Sequence, residues 1–283
     1  MGLVVPGAIN GVHRRVAAKA PGDDAALVLL GVGSNVGKSQ VAYALCRMGQ
    51  RLACRIGFFK SLLIGRRRVP ANDSGYVGSQ LAEYASAVDM PLLQASNPCF
   101  FDSGSSELMV LGRSCGNYRM TADDNVDFSS MSPAQLESTR KIVLAQYASI
   151  RARSDFVVVE GGGSCTDDLR YDFSNGFLAA NVNAHAVLVA SGANGGFAAA
   201  LIGTHELLPE PVKRRVRGFI CNQVDPSVPQ VRCNLQRVTE RLGIECLGCV
   251  PRVASASSMT PRQWTDTMCE FLSHGQIMEL LPQ

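Results

Sequence analysis

A run of apolar residues at 25–30 is followed at once by Gly31-Val-Gly-Ser-Asn-Val-Gly-Lys-Ser39 and then by a stretch of helical spacing, residues 38–48. No other feature constrains the chain as much. Glycines let successive backbone N–H groups turn toward an anion, and the helix that follows presents its positive N-terminal end. A lysine with a hydroxyl beside it can then reach terminal phosphates and a divalent cation. A strand that feeds such a turn and a helix is an opening unit of a parallel α/β sheet. The spacing is unusual, because Gly31 stands one residue further from Gly37-Lys38-Ser39 than the common G-x-x-x-x-G-K-S pattern allows.

Five more apolar runs, at 54–59, 156–159, 186–190, 218–221 and 245–250, alternate with amphipathic stretches. This rhythm predicts an α/β fold, a P-loop NTPase-type parallel sheet flanked by helices on both faces. Helices are predicted over 133–151, from Gly195-Gly196 to about 208, over 230–242 and over 261–281. The first opens on Ser132-Pro133, an N-cap followed by proline at the first helical position. Residues 62–130 are rich in Gly, Ser, Asn and Asp and read as a less regular insertion beside the sheet. The predicted organisation is a flexible N-terminal tail (1–24), a P-loop domain (25–252) and a closing linker and helix (253–283).

Composition narrows the partners. Lys and Arg number 27 against 24 Asp and Glu, so the net charge is only +3, too balanced for a phosphate backbone as the main partner. No apolar stretch reaches membrane-spanning length. His13, Arg14, Arg15 and Lys19 interrupt the place where a secretory peptide needs its apolar region, and Pro6 spoils a myristoylation motif. The expectation is a cytoplasmic chain with no nucleic-acid or membrane partner. Ten cysteines are scattered, and Cys246-Leu-Gly-Cys249 is the one C-x-x-C pair. With no second pair to complete four zinc ligands, it reads as two small apolar residues in a buried strand.

At this point the motifs resemble a known group. Gly-x-x-Ser-x-Val-Gly-Lys-Ser is similar to the P-loop of the dethiobiotin synthetase and cobyric acid synthase family. Phe58-Phe59-Lys60 resembles the Phe-Lys that ends their second strand. Gly75-Tyr-Val-Gly-Ser-Gln80, Asn97-Pro98, Val159-Glu160-Gly-Gly-Gly-Ser164 and Asp172-Phe-Ser-Asn175 resemble cobyric acid synthase segments in the same order. So do Gly195-Gly196 with Gly203-Thr204, and Gly218-Phe-Ile-Cys-Asn222.

The resemblance implies that ATP and Mg²⁺ are bound by the loop, through Gly33, Ser34, Asn35, Val36, Gly37, Lys38, Ser39 and Gln40. Glu160 and Ser39 are the implied metal ligands. Asp73 is the best-placed candidate for a further acidic ligand after the second strand. Lys38, Lys60 and Glu160 are the implied catalytic residues, with Lys60 facing the substrate and the transferred phosphate. Asn222 matches an asparagine that reads the adenine edge. Gly162, Gly163, Ser164, Asp172 and Asn175 are implied on the substrate side.

The implied reaction is ATP-dependent C–N bond formation, in which a small-molecule carboxylate or carbamate is phosphorylated and then taken by ammonia or an amine. Cobyric acid synthases carry a C-terminal glutaminase that this sequence does not continue into, so a separate glutaminase subunit is an expected partner, and a homodimer the expected assembly. Tyr76, Asp102, Ser191, Asn194 and Gln223 depart from the family pattern in segments expected to meet the acceptor, which points to an acceptor other than a corrinoid. Two other readings stay open: a dethiobiotin synthetase-like ligase that uses CO₂ to form a cyclic urea or carbamoyl product, and a regulatory ATPase of the MinD or ParA type. Against the latter stands the lack of a second lysine near Gly33.

Overall fold

The computed structural model describes residues 25–122, 125–182, 184–273 and 275–281. The expected tail at 1–24, with His13, and His274 lie outside the described residues. The chain opens with β1 (Ala26–Gly31), α1 (Lys38–Arg51) and β2 (Ile56–Lys60). It then runs through the inserted segment: β3 (Leu62–Gly65), β4 (Arg68–Pro70), β5 (Tyr76–Gly78), α2 (Ser79–Ala87), β6 (Cys99–Asp102), β7 (Glu107–Val110), β8 (Arg113–Asn117), β9 (Arg119–Met120) and β10 (Val126–Asp127). The main sheet resumes after α3 (Pro133–Arg151) with β11 (Phe156–Glu160), α4 (Gly176–Asn181), β12 (His185–Ser191), α5 (Phe197–Leu207), α6 (Glu210–Lys213), β13 (Val216–Asn222), α7 (Pro229–Leu242), β14 (Glu245–Val250) and α8 (Pro261–Ser273).

All six expected strands enter one parallel sheet in the order β14-β13-β12-β1-β11-β2. Its central strands are covered on both faces, which is why they read as unbroken apolar runs rather than alternating ones. Leu27, Leu29, Val158 and Val187 face a layer built by Val41 and Leu45 of α1 and Met268 and Leu272 of α8. Val28, Leu30, Val157 and Leu188 face the opposite layer, with Val143, Leu178, Leu201 and Val238. The cap foreseen for α3 is present in full: Ser132 Oγ accepts from Gln135 N–H, and the Gln135 side chain accepts from Ser132 N–H.

Two expectations change. The insertion is more ordered than its composition suggests, because β3, β6, β7 and β8 form a second, four-stranded mixed sheet. The closing helix is also shorter than foreseen: α8 ends at Ser273, and a 3₁₀ turn, Gln276–Leu280, completes the segment.

Phe59 of β2 is fully buried and meets Tyr147 of α3 edge-on, with ring centroids 5.7 Å apart. It joins the edge strand to the helix layer. Phe59→Ala is expected to lower unfolding stability by about 3–5 kcal/mol, through lost burial plus an unfilled cavity, measurable as a shifted urea midpoint at unchanged m-value.

Candidate functional site

Three strand ends and one helix start meet at the carboxyl edge of the sheet. Strand register does the first part of the work: Leu29 of β1 lies beside Glu160 of β11, and Glu160 lies beside Lys60 of β2. The two ionisable side chains therefore leave the sheet together. Lys60 Nζ donates to Glu160 Oε1 at 2.5 Å and to Ser39 Oγ at 3.2 Å, while Ser39 Oγ donates to the same Glu160 oxygen at 2.6 Å. Glu160 is 1% exposed, and its second oxygen, Oε2, is buried without a hydrogen-bond partner among the described residues. A carboxylate oxygen left bare in the interior is costly unless something cationic or hydrogen-bonding meets it.

The loop between β1 and α1 is shaped by backbone conformation. Gly37 has φ 90° and serves as the N-cap of α1, and Asn35 also has positive φ, 57°. Gly37 has a second reason to be glycine: a Cβ there would lie 2.0 Å from Asn222 Nδ2. Gln40 sits in the first turn of α1, and Val36 is buried. Lys38 Nζ donates to Gly163 O at 2.6 Å and to Gly33 O at 3.3 Å. Burial holds the Lys38 ammonium down at about 8, with nearby Glu160 pulling the other way.

The sequence-derived residues do not all converge. Lys38, Ser39, Lys60 and Glu160 form one cluster. Asn222, at the end of β13, is buried and reaches the loop through Nδ2 to Val36 O at 3.4 Å. Asp73 is not joined to the cluster by any hydrogen bond among the described residues; its carboxylate accepts from Gln94 N–H at 2.9 Å on the exposed β4–β5 turn. That role, tying the turn to the segment after α2, accounts for Asp73 without a metal.

The loop after β11 brings together the residues read as substrate-side. Gly163 has φ 58°, and Asn175 Nδ2 donates to Gly162 O at 2.7 Å, while Asn175 Oδ1 is buried and has no partner among the described residues. Ser164 Oγ lies 3.4 Å from Thr166 Oγ1. The Asp172 carboxylate is committed to backbone, accepting from the N–H groups of Ser174, Asn175 and Phe177 at 2.7–2.8 Å. Arg140 fixes the same turn by donating twice to Asp172 O. Asp172 thus shapes the loop, and Asn175 is the side chain of this group with an unused oxygen.

Two roles were not read from sequence, although both residues stood in motifs noted there. The Gly163 carbonyl receives Lys38, a main-chain role that residue type cannot signal. Asn97 is buried and braces the insertion against the site: its Nδ2 donates to Lys60 O at 2.9 Å and Cys99 O at 3.1 Å, and its Oδ1 accepts from Gly78 N–H at 3.1 Å. The signal was the pair Asn97-Pro98, noted for resemblance but silent about what the amide holds.

A family described as AAA domain, AAA_26, matches residues 117–260. The chain belongs to this family. Within the AAA_26 chain the matched span takes in Glu160, the loop after it and Asn222, and the phosphate loop precedes it. The cobyric acid synthase of Rhizobium rhizogenes (strain K84 / ATCC BAA-868) is 30% identical over 255 residues, covering 88% of this chain and 50% of the relative. That of Rhizobium meliloti (strain 1021) is 30% identical over 239 residues, 82% and 47%. The AAA_26 chain thus spans about half the length of the curated relatives it matches, and it is a cobyric acid synthase-like P-loop domain. Among solved structures, the MinD cell division protein of Aquifex aeolicus superimposes with a TM-score of 0.45 at 14% identity, over 88% of this chain and 98% of that one; a likeness so distant bears on nothing further. No helix among the described residues is long and apolar enough to cross a membrane.

Proposed function

We propose that the chain is an ATP- and Mg²⁺-dependent carbon–nitrogen ligase. It phosphorylates a small-molecule carboxylate, or a carbamate, and passes the activated acyl group to ammonia or an amine. The observation that carries this reading is the cluster of Lys38, Ser39, Lys60 and Glu160, in which the second, buried Glu160 oxygen has no hydrogen-bond partner among the described residues. A hard cation suits that oxygen together with Ser39 Oγ, so Glu160 and Ser39 are the residues that would hold Mg²⁺. When bound, Mg²⁺ would supply Lewis-acid neutralisation of the negative charge on the phosphates.

The chain's own residues do the rest by position and charge. The N–H groups of the loop and of the first turn of α1 point at the phosphates, with Lys38 released from its carbonyl partners to contact them. Lys60 stands on the far side of Glu160 from β1, where its ammonium can meet the transferred phosphoryl group. The acceptor carboxylate oxygen attacks the γ-phosphorus and ADP leaves. The nitrogen nucleophile then attacks the acyl carbon, phosphate leaves, and the nitrogen gives up a proton. The loop at 162–164, with Asn175, forms the wall on the acceptor side. Asn222 stands at the end of the nucleotide loop where a base edge would lie. Ammonia can be free or come from a separate glutaminase subunit, and a homodimer is the proposed assembly.

The test is ATP-dependent phosphate release from the purified chain, screened against carboxylates and diamines with ammonium and bicarbonate varied. Release that requires both a carboxylate and a nitrogen donor supports amide ligation. Incorporation of labelled bicarbonate into product selects the carbamate branch. Phosphate release that ignores every acceptor and responds only to self-association, DNA or vesicles would overturn the ligase reading.

A further inference from the structure

The C-x-x-C pair occupies a place that a regular strand could not give it. Side chains three residues apart on a strand point to opposite faces. Here the β13–β14 register slips: Phe219 lies beside Cys246, but the next pair is Ile220 with Gly248. Leu247 is the extra residue, and such a bulge re-aims everything beyond it. Cys246 and Cys249 both pack against the layer that contains Val238, whereas Leu247 and Val250 pack on the other side with Leu272. The two sulfurs lie 3.6 Å apart. Cys221 of β13, in register with Cys249, faces the same layer. The pair is on the edge strand, and both cysteines are partly exposed, while Cys221 is buried.

We propose that Cys246 and Cys249 are a modification site, a dithiol that closes to a disulfide on two-electron oxidation and thereby weakens the adjoining nucleotide end of the sheet. With a hydroperoxide as oxidant the chemistry balances. One thiolate attacks a peroxide oxygen, the O–O bond breaks, and the leaving hydroxide takes a proton to become water. The second thiolate attacks the resulting sulfenic sulfur, the S–S bond forms, and the S–OH oxygen leaves as a second water. Two thiols lose two electrons and one hydrogen peroxide gains them.

The link to the loop is short. Closure must bring the sulfurs from 3.6 Å to about 2 Å, which pulls on the bulge. The residue after Cys249 is Val250, paired in register with Asn222, and Val250 O accepts from Val224 N–H at 2.9 Å. Asn222 in turn touches Val36 of the phosphate loop. Hydrogen bonding with Cys221 is the foremost reason the Cys249 thiol is pushed up to about 12, and the bond to Cys249 raises Cys246 as well. Both stay protonated near neutrality, so the pair resists mild oxidants and the test calls for excess peroxide.

The full chain, reduced and then treated with excess hydrogen peroxide, would be alkylated after denaturation and mapped by mass, with exposed Cys233 as the reference for general oxidation. The expected result is a 246–249 peptide two hydrogens lighter and closed to alkylation. Equilibrium ATP binding should weaken by about tenfold and recover with dithiothreitol. Cys246→Ser and Cys249→Ser should each keep the reduced-state affinity under the same peroxide. Two alkylatable thiols in that peptide after Cys233 has been oxidised would overturn the proposal, and so would a bridge that leaves ATP affinity unchanged. The weakening of ATP binding rests on the nucleotide reading above. If the reduced chain binds no ATP, it is that reading that fails, and the peptide mass still decides the bridge.

Discussion

Lys38→Met is expected to lower ATP-dependent phosphate release by about 10³-fold, the scale of removing one charge-stabilising donor from a phosphoryl-transfer site. The same substitution should not unfold the protein. The ammonium is buried and held by two carbonyls, and burial lowers it from 10.5 to about 8. A lysine depressed in the fold takes up protons more readily when unfolded, so stability rises with pH between the two values, from about 8 to 10.5. Below 8 the buried charge costs on the order of 3 kcal/mol, partly offset by the bonds to Gly33 O and Gly163 O. Lys38→Met should therefore melt no lower than wild type at pH 7, and the difference between them should shrink toward pH 10.5. Paired thermal melts and phosphate-release assays check both halves. A variant that is inactive because it is unfolded at pH 7 would refute this account of Lys38.

Glu160→Gln is expected to harm both activity and stability, because one oxygen of Glu160 already serves Lys60 and Ser39 while the other is the proposed metal ligand. Activity should fall by about 10²–10³-fold and the Mg²⁺ concentration for half-maximal release should rise, since a neutral amide is a poor partner for a hard cation. Stability should fall too: Lys60 is 12% exposed and loses its counter-charge, and breaking a buried pair from one side costs about 3–5 kcal/mol. The control is Lys60→Met combined with Glu160→Gln, which removes both charges. Recovered stability without recovered activity separates the catalytic role from the structural one. If Glu160→Gln keeps wild-type Mg²⁺ dependence, Glu160 is not the ligand.

Much of this was legible in the chain itself. The six strands were readable because a parallel sheet covered on both faces leaves continuous apolar runs such as Leu27–Leu30, and the phosphate loop because its glycines and Lys38-Ser39 directly follow one of them. The insertion was less legible. Its strands are two to five residues long, too short for periodicity to separate from loop, and pairing partners such as Leu62 and Cys99 are distant in sequence. Asp73 shows the same limit, since an acidic residue in a turn reads alike whether it binds a cation or caps a backbone N–H. Cys246 and Cys249 were read as core because strand alternation separates them, and only the slip at Leu247, a matter of pairing rather than residue type, brings the sulfurs together.

Asn97 carries a consequence for modular exchange. One amide fastens the end of β2, the end of β5 and the start of β6 to one another, touching the carbonyl of Lys60 itself. Among the described residues, this amide is the insertion's side-chain hydrogen bond to the backbone of the strand that bears the lysine. A chimera that swapped residues 62–130 for the matching piece of a relative, to redirect acceptor choice, would have to bring an equivalent amide with it. Without one, the transplanted piece could fold and still leave Lys60 aimed elsewhere.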